Sequence, residues 1–322
     1  MTILGARLGR TLASAMGALV AVPAVAWAHG GQPLAPHDLW RAWTWDPGVV
    51  VSLVVTGALY AVGVRRLWRR AATGRGVRRG EAASFAAGWS VLALSLISPL
   101  HALGGSLFSA HMTQHELLMV VAAPLLVLGR PLVAFVWAIP PRWRRRARAW
   151  TQQRAVRRAW AALTKPGIAW SVHAVALIVW HVPRLYGATL TSTAAHAAQH
   201  VCFLGTALLF WWAMVHPGRA GYGASVVYLF AATILTGALG ALLAFTPDLW
   251  YPGYAATTGA WGLTPIDDQQ LGGVIMWVPG GGTYLVVALA LFAAWLRKAE
   301  LHAVRNDAHI AAVAARRQWG SA

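Results

Sequence analysis

Seven long stretches of apolar residues punctuate this chain, at 48–67, 82–101, 110–139, 167–188, 194–215, 224–246 and 271–296. Each is near the length of about 20 residues that an α-helix needs to cross a bilayer. A shorter apolar run, Leu12–Val25, follows Arg7 and Arg10 and ends at Ala26-Trp27-Ala28, the small-x-small form of a cleavage site. Residues 1–28 therefore read as a secretory signal, with an uncleaved first span as the rival reading. The third stretch is interrupted by Gly129-Arg130-Pro131, which predicts a kink or a short second helix there. The pattern as a whole predicts an all-α, polytopic transmembrane bundle of seven spans.

Charge orients the bundle. Arg65, Arg66, Arg69, Arg70, Arg75, Arg78 and Arg79 crowd one loop; Arg142, Arg144, Arg145, Arg146, Arg148, Arg154, Arg157 and Arg158 crowd another. Both belong in the cytoplasm by the positive-inside rule, as does the tail after Trp295 with Arg297, Lys298, Arg305, Arg316 and Arg317. The loops at 102–109, 189–193 and 247–270 are nearly free of Lys and Arg. An N-terminus outside and a C-terminus inside satisfy every loop. The expected divisions are a signal at 1–28, a periplasmic segment at 29–47, a seven-helix domain at 48–296 and a basic cytoplasmic tail at 297–322.

Composition agrees. Of 322 residues, 58% are hydrophobic and only 11% charged, well under the roughly 25% of a soluble domain. The 19 tryptophans suit interfacial belts. A net charge of +18 would suggest nucleic acid in a soluble protein; here topology and anionic lipid account for it. The single cysteine, Cys202, excludes an intrachain disulfide and a CxxC metal clip.

The chemistry lies in histidines. His111 and His115 stand one turn apart on a helix face, and His196 and His200 repeat the arrangement; both pairs have the form H-x-x-Q-H. The topology brings His101, His111, His115, His196 and His200 to the outer end of the spans, with His181 about two turns deeper and Asp267, Asp268 and Gln269 at the same level. Ionisable groups inside a membrane are rare and mark sites, so His111, His115, His181, His196 and His200 are the leading metal ligands. His101, Asp268 and Met112 are secondary candidates; Met119, Met276 and Cys202 offer sulfur but read better as core. If cleavage follows Ala28, the α-amine and imidazole of His29 form a bidentate site for copper(II). His173 lies too deep to join and reads as interhelical packing. Glu116 is left to pair with Arg184 or to relay a proton.

Four stretches carry a family resemblance: H-M-T-Q-H…A-P-L-L-V-L-G-x-P (His111 to Pro131), H-x-P-x-L-Y (His181 to Tyr186), H-x-x-Q-H-x-x-F-L…L-L-F-W-W (His196 to Trp212) and D-Q-Q-L-G-G-V-I-M-W-V-P-G-G (Asp268 to Gly281). Ala28 to Pro47, with A-H-G-G…P-H-D-L-W, adds to them. In these the chain resembles the caa(3)-type cytochrome c oxidase assembly factors of the CtaG family, which are similar in style to the CopD copper-resistance proteins. The resemblance implies a seven-span protein of the bacterial cytoplasmic membrane. It would serve a copper-containing oxidase by delivering copper or holding the apo-subunit, its partners being oxidase subunits and a periplasmic copper donor. The matching positions are His111, His115, His181, His196, His200, Asp268 and Gln269; Glu116 and Cys202 depart from the pattern.

Two other functions remain open, a copper-resistance or copper-transport protein and a haem-binding cytochrome. A permease would want ligands at several depths, and one haem needs one axial histidine from each side. An enzyme is not expected, since no nucleophile–base pair or phosphate-binding loop is present. A zinc peptidase fails because H-E-x-x-H sets its glutamate beside the first histidine, whereas Glu116 follows the second.

Overall fold

The computed structural model describes residues 34–216, Gly218 and residues 221–319. The segment 1–28 and His29 lie outside them. The described residues are helical and connecting segments throughout: α1 Pro47–Ala71, α2 Arg79–Ile97, α3 Pro99–Leu103, α4 Phe108–Leu128, α5 Pro131–Ala138, α6 Pro141–Thr151, α7 Arg154–Leu163, α8 Pro166–His181, α9 Pro183–Thr191, α10 Thr193–Val215, α11 Gly221–Phe245, and α12, which runs as Pro265–Ile275, Met276–Gly280 and Gly281–Trp319.

Six helices (α1, α2, α4, α10, α11 and α12) are long and apolar enough to cross a membrane, which makes this a multi-pass membrane protein. The fourth expected stretch, 167–188, is not one continuous helix. Val182 is extended (φ −61°, ψ 124°) and Pro183 restarts the chain as α9, because proline disfavours a helical residue before it and donates no N–H. The 16 residues of α8 span about 24 Å, short of a full hydrocarbon core. α8 and α7 form a pair bent by 67° that counts as a seventh span if taken together.

Proline breaks shape two other stretches. The second ends at Ile97; Ser98 is extended and Pro99 opens α3, so His101 rides a separate short helix and not the end of a span. The third ends at Leu128, as Gly129-Arg130-Pro131 predicts, with Arg130 left-handed (φ 52°) before α5. Within α4, Leu117–Ala122 is π-helical beside Pro124; within α12, Met276–Gly280 is π-helical and contains Pro279. A proline withholds the N–H that an α-helical turn requires, and the ladder widens around the gap.

α4 lies at the centre. About 61% of its most apolar window is buried within the protein, against 22–39% for the other five crossing helices. It packs on α2, α10 and α12. The outer helices turn Val54, Val227, Ile234, Phe245 and Val286 away from the protein, all of them exposed, as a lipid-facing surface requires. α11 and α12 meet at their backbones: a Cβ on Gly240 would stand 2.6 Å from the Gly273 carbonyl oxygen, and one on Gly273 would stand 2.6 Å from that of Gly240. Small residues permit this approach where lipid supplies no hydrophobic drive between helices. The ends of α2, α8 and α11 gather with the starts of α4, α10 and α12, where Gln114 donates to Ser95 O, Tyr251 Oη to His181 O and Trp250 N–H to Gln269 Oε1. The arginine-rich α6 and α7 lie toward the opposite end.

Candidate metal centre

Five imidazoles from three helices meet at that gathered end. On α4, His111 Nε2 lies 3.0 Å from His115 Nε2. On α10, His196 Nε2 lies 3.2 Å from His200 Nε2. The pairs face each other, with ring centroids of His111 and His196 5.1 Å apart and those of His115 and His200 5.4 Å apart. His101, on α3, stacks on His196 at 5.3 Å and stands 5.9 Å from His200. A tetrahedral ion with about 2.0–2.1 Å metal–nitrogen bonds holds its donors roughly 3.3 Å apart, so the Nε2 pairs are already near ligand spacing.

The donor atoms form two groups, each with members within 4.8 Å of one another: His101, His196 and His200, and His111, His115 and His200. The first is half-buried. His111 and His115 are each 1% exposed. Neither group contains a carboxylate, so the donors are neutral imidazoles, which suit copper, zinc, iron and nickel.

The surroundings orient the rings. His111 Nδ1 lies 3.2 Å from the Gly104 carbonyl and 3.1 Å from the Tyr254 hydroxyl; that hydroxyl donates to the same carbonyl at 3.1 Å and lies 2.9 Å from Tyr186 Oη. The Gly104 carbonyl accepts a proton held at Nδ1, the tautomer that leaves Nε2 a lone pair for metal, whereas Gln199 Oε1, 3.3 Å from Nε2, accepts in the other tautomer. Tyr254 sits in the 246–264 connection, where burial pushes its phenol well above the ordinary range. It therefore stays a neutral O–H donor. His181 donates from Nδ1 to Leu177 O at 2.7 Å, which leaves its buried Nε2 without a partner. Phe203 packs against both His115 and His181, at 4.7 and 6.1 Å, and His181 belongs to neither three-histidine group.

Buried polar atoms without partners collect here: His115 Nδ1, His181 Nε2, Gln114 Oε1 and Gln199 Nε2. Such atoms are uncommon in a folded interior and call for an ion or water. The imidazole set, with the unpartnered His115 and His181 nitrogens and Gln114 Oε1, fits a bound cation, whereas the Gln199 Nε2 amide is a donor and calls for an acceptor instead.

Two residues that matter were visible only as the shared Q of H-x-x-Q-H. Each glutamine serves a histidine outside its own pair. Gln114 donates to His101 Nδ1 at 2.9 Å and to Ser95 O at 2.5 Å, while Gln199 Oε1 lies 3.3 Å from His111 Nε2. Both are fully buried.

Other sequence candidates sit elsewhere. Asp268 accepts from Phe108 N–H (2.6 Å), Ser109 N–H (3.1 Å) and Ser109 Oγ (2.5 Å), so both its oxygens are engaged in starting α4. Asp267 caps α12 with Thr264. Gln269 accepts from Trp250 and Tyr251 N–H and donates to Asp248 O, fixing the connection that carries Tyr254. Met112 and Met276 pack among Phe108, Tyr186, Leu243, Tyr251 and Tyr254, and Met119 packs in the larger core. Cys202 is a free, half-buried thiol. His173 lies 3.0 Å from Thr206 Oγ1 and stacks on Phe210, away from the cluster. Glu116 does not pair with Arg184: Arg184 is exposed, and no ion pair joins the two among the described residues. Its Oε2 is buried and unpartnered, lying where a Cβ on Gly280 would come within 2.5 Å.

Residues 58–298, which carry every histidine of the cluster, match the family described as cytochrome c oxidase caa3 assembly factor. Relatives include uncharacterized proteins of Mycobacterium tuberculosis, 27% identical over 286 residues, and of Mycobacterium leprae, 27% identical over 294 residues. Each alignment covers 86% of this chain and 43% of the relative, so the chain spans less than half the length of the curated relatives it matches. No solved structure matches. With the match running through α1 to α12 and enclosing the whole imidazole layer, the chain belongs to the cytochrome c oxidase caa3 assembly factor family.

Proposed function

We propose that this chain takes up copper at the outer face of the bacterial cytoplasmic membrane and passes it to a subunit of a copper-containing cytochrome c oxidase during assembly. In this reading copper is cargo, held by His111, His115, His196 and His200, and the protein catalyses no reaction of its own. The observation that carries it is that two H-x-x-Q-H helices face each other, each with its own Nε2 pair at 3.0 or 3.2 Å and with rings 5.1 and 5.4 Å apart across the helices. Family membership supplies the recipient, and imidazole donors accept copper.

The proposed topology is seven spans, with the bent α7–α8 pair as the fourth, the N-terminus outside and the C-terminus in the cytoplasm. The arginines of α6, α7 and the Arg65–Arg79 connection then face the cytoplasm and its anionic lipid. The histidines face the periplasm, where a copper donor would load them. A haem is disfavoured, because one haem takes one axial histidine from each side, whereas each donor group here gathers three imidazoles within 4.8 Å of one another.

The test is oxidase copper content and activity in cells whose only copy carries His111→Ala with His115→Ala. Both should fall to the level of a deletion strain. Unchanged copper loading of the oxidase would sink the reading. A copper-transport role predicts instead that cellular copper changes while oxidase loading follows external supply.

A further inference from the structure

We infer that the imidazole layer is not one four-histidine site but two overlapping three-histidine stations hinged on His200, between which a single copper ion moves inward. The inference rests on the reading of copper as cargo and specifies the route.

The grouping of donors is the first observation. Each set that comes within ligand distance keeps one sequence pair and adds a histidine from another helix: α3 and α10 make the outer one (His101, His196, His200), while α4 and α10 make the inner one (His111, His115, His200). His200 is common to both. Its ring is 5.9 Å from His101 on one side and 5.4 Å from His115 on the other. An ion leaving the outer set for the inner one can therefore keep one bond throughout, which avoids a free ion in a medium of low polarity.

Burial gives the direction. All three outer histidines are half-buried, so that set is the less enclosed of the two and the first that arriving metal meets. His111 and His115 are 1% exposed, and the unpartnered Nδ1 of His115 and Nε2 of His181 mark the inner end. A more enclosed station also excludes competing water, which strengthens each metal–nitrogen interaction.

Charge gives the occupancy. Five neutral imidazoles exceed the four nitrogens that one tetrahedral ion takes. No carboxylate enters either set to offset a second cation. Two ions sharing one ligand would stand a few ångströms apart and repel strongly in a poorly polarisable interior, so the stations alternate. The ion keeps its oxidation state and the imidazoles stay neutral overall, so the transfer requires no oxidant or proton acceptor.

The test uses the purified full-length chain in lipid nanodiscs and copper(I) alone, supplied anaerobically from a chromogenic chelator. Uptake rate, release rate and stoichiometry are read together. Wild type should bind one ion per chain. His101→Ala with His196→Ala should still bind one ion but load at least tenfold more slowly. His111→Ala with His115→Ala should load at the wild-type rate and release at least tenfold faster. His200→Ala should show both defects; should it fail to fold, His101→Ala and His115→Ala alone must still divide loading from retention. Two ions per wild-type chain, or equal loss of retention in the outer and inner variants with loading unchanged, would overturn the two-station arrangement while leaving copper binding intact. A wild-type chain that binds no copper would instead remove the functional reading itself.

Discussion

The Asp268 carboxylate accepts the backbone N–H of Phe108 at 2.6 Å, so the last crossing helix holds the first turn of the helix that carries His111 and His115. A helix start exposes N–H groups that its own turns cannot satisfy. Here those of Phe108 and Ser109, with the Ser109 hydroxyl, are all bound by one buried side chain. Asp268→Ala would leave three buried donors unmet. Hydrogen bonds to a charged group contribute about 1.5–3 kcal/mol each and capping losses run about 0.5–2 kcal/mol, so the expected loss is about 3 kcal/mol. Thermal unfolding in detergent measures it, and a curve superimposable on wild type would remove the capping role.

Tyr254→Phe deletes the hydroxyl shared by Gly104, His111 and Tyr186. Groups that orient a metal-binding histidine typically carry about 10- to 100-fold in metal affinity. A drop of that size is expected in a copper(I) competition titration, with helicity retained. The hydroxyl's own contribution to stability has a defined pH window. Burial raises the folded phenol above its ordinary value of 10.0, so the contribution is complete below that value and is lost as pH rises beyond it. Tyr254→Phe should flatten that alkaline loss.

Gly240→Leu forces a side chain against Gly273 and Trp277 backbone atoms, 2.6 and 2.7 Å from the new Cβ. Overpacking of this kind costs about 1–3 kcal/mol. Gly205→Ala on α10, where a Cβ meets nothing within 4 Å, should be neutral or mildly stabilising through helix propensity. Equal melting temperatures for the two variants would contradict the close approach of α11 and α12.

Glu116→Met should raise stability by about 1 kcal/mol, since it replaces a buried carboxyl that has an unpartnered oxygen with an apolar side chain of similar length. Chemical denaturation of the detergent-solubilised protein reads the change. A marked loss of stability would mean that Glu116 has a charged partner when folded.

His173→Leu serves as the contrast to the cluster. It removes one interhelical hydrogen bond, to Thr206, of a class that averages about 0.6 kcal/mol in membrane proteins. Metal content measured by elemental analysis should equal that of wild type. A lost copper ion would extend the binding layer far deeper than the imidazole cluster reaches.

Much of this was legible in the residues. Apolar runs located all six long helices, because the membrane demands about 20 apolar residues and full internal hydrogen bonding of any crossing segment. Gly129-Arg130-Pro131 announced the break after α4. Ser98-Pro99 and Val182-Pro183 carried the same signal less visibly, since apolar residues flank them, and the second and fourth stretches were read through those prolines. The roles of Gln114 and Gln199 were hidden for another reason: glutamine in H-x-x-Q-H lies on the helix face beside the histidines, but nothing in the spacing says which neighbouring helix it reaches.

The sequence by itself determined how many apolar stretches there are and that the paired histidines fall at the starts of two of them. Residue spacing sets depth along a helix axis and the face a side chain occupies. Only the tertiary structure decided the partners: His200 facing both His101 and His115, Asp268 starting α4 in place of a ligand role, and His181 set apart beside Phe203. Those pairings depend on how each helix is rotated toward its neighbours. That rotation is fixed by close contacts such as Gly240 against Gly273 and by the proline breaks, which no single helix's periodicity contains.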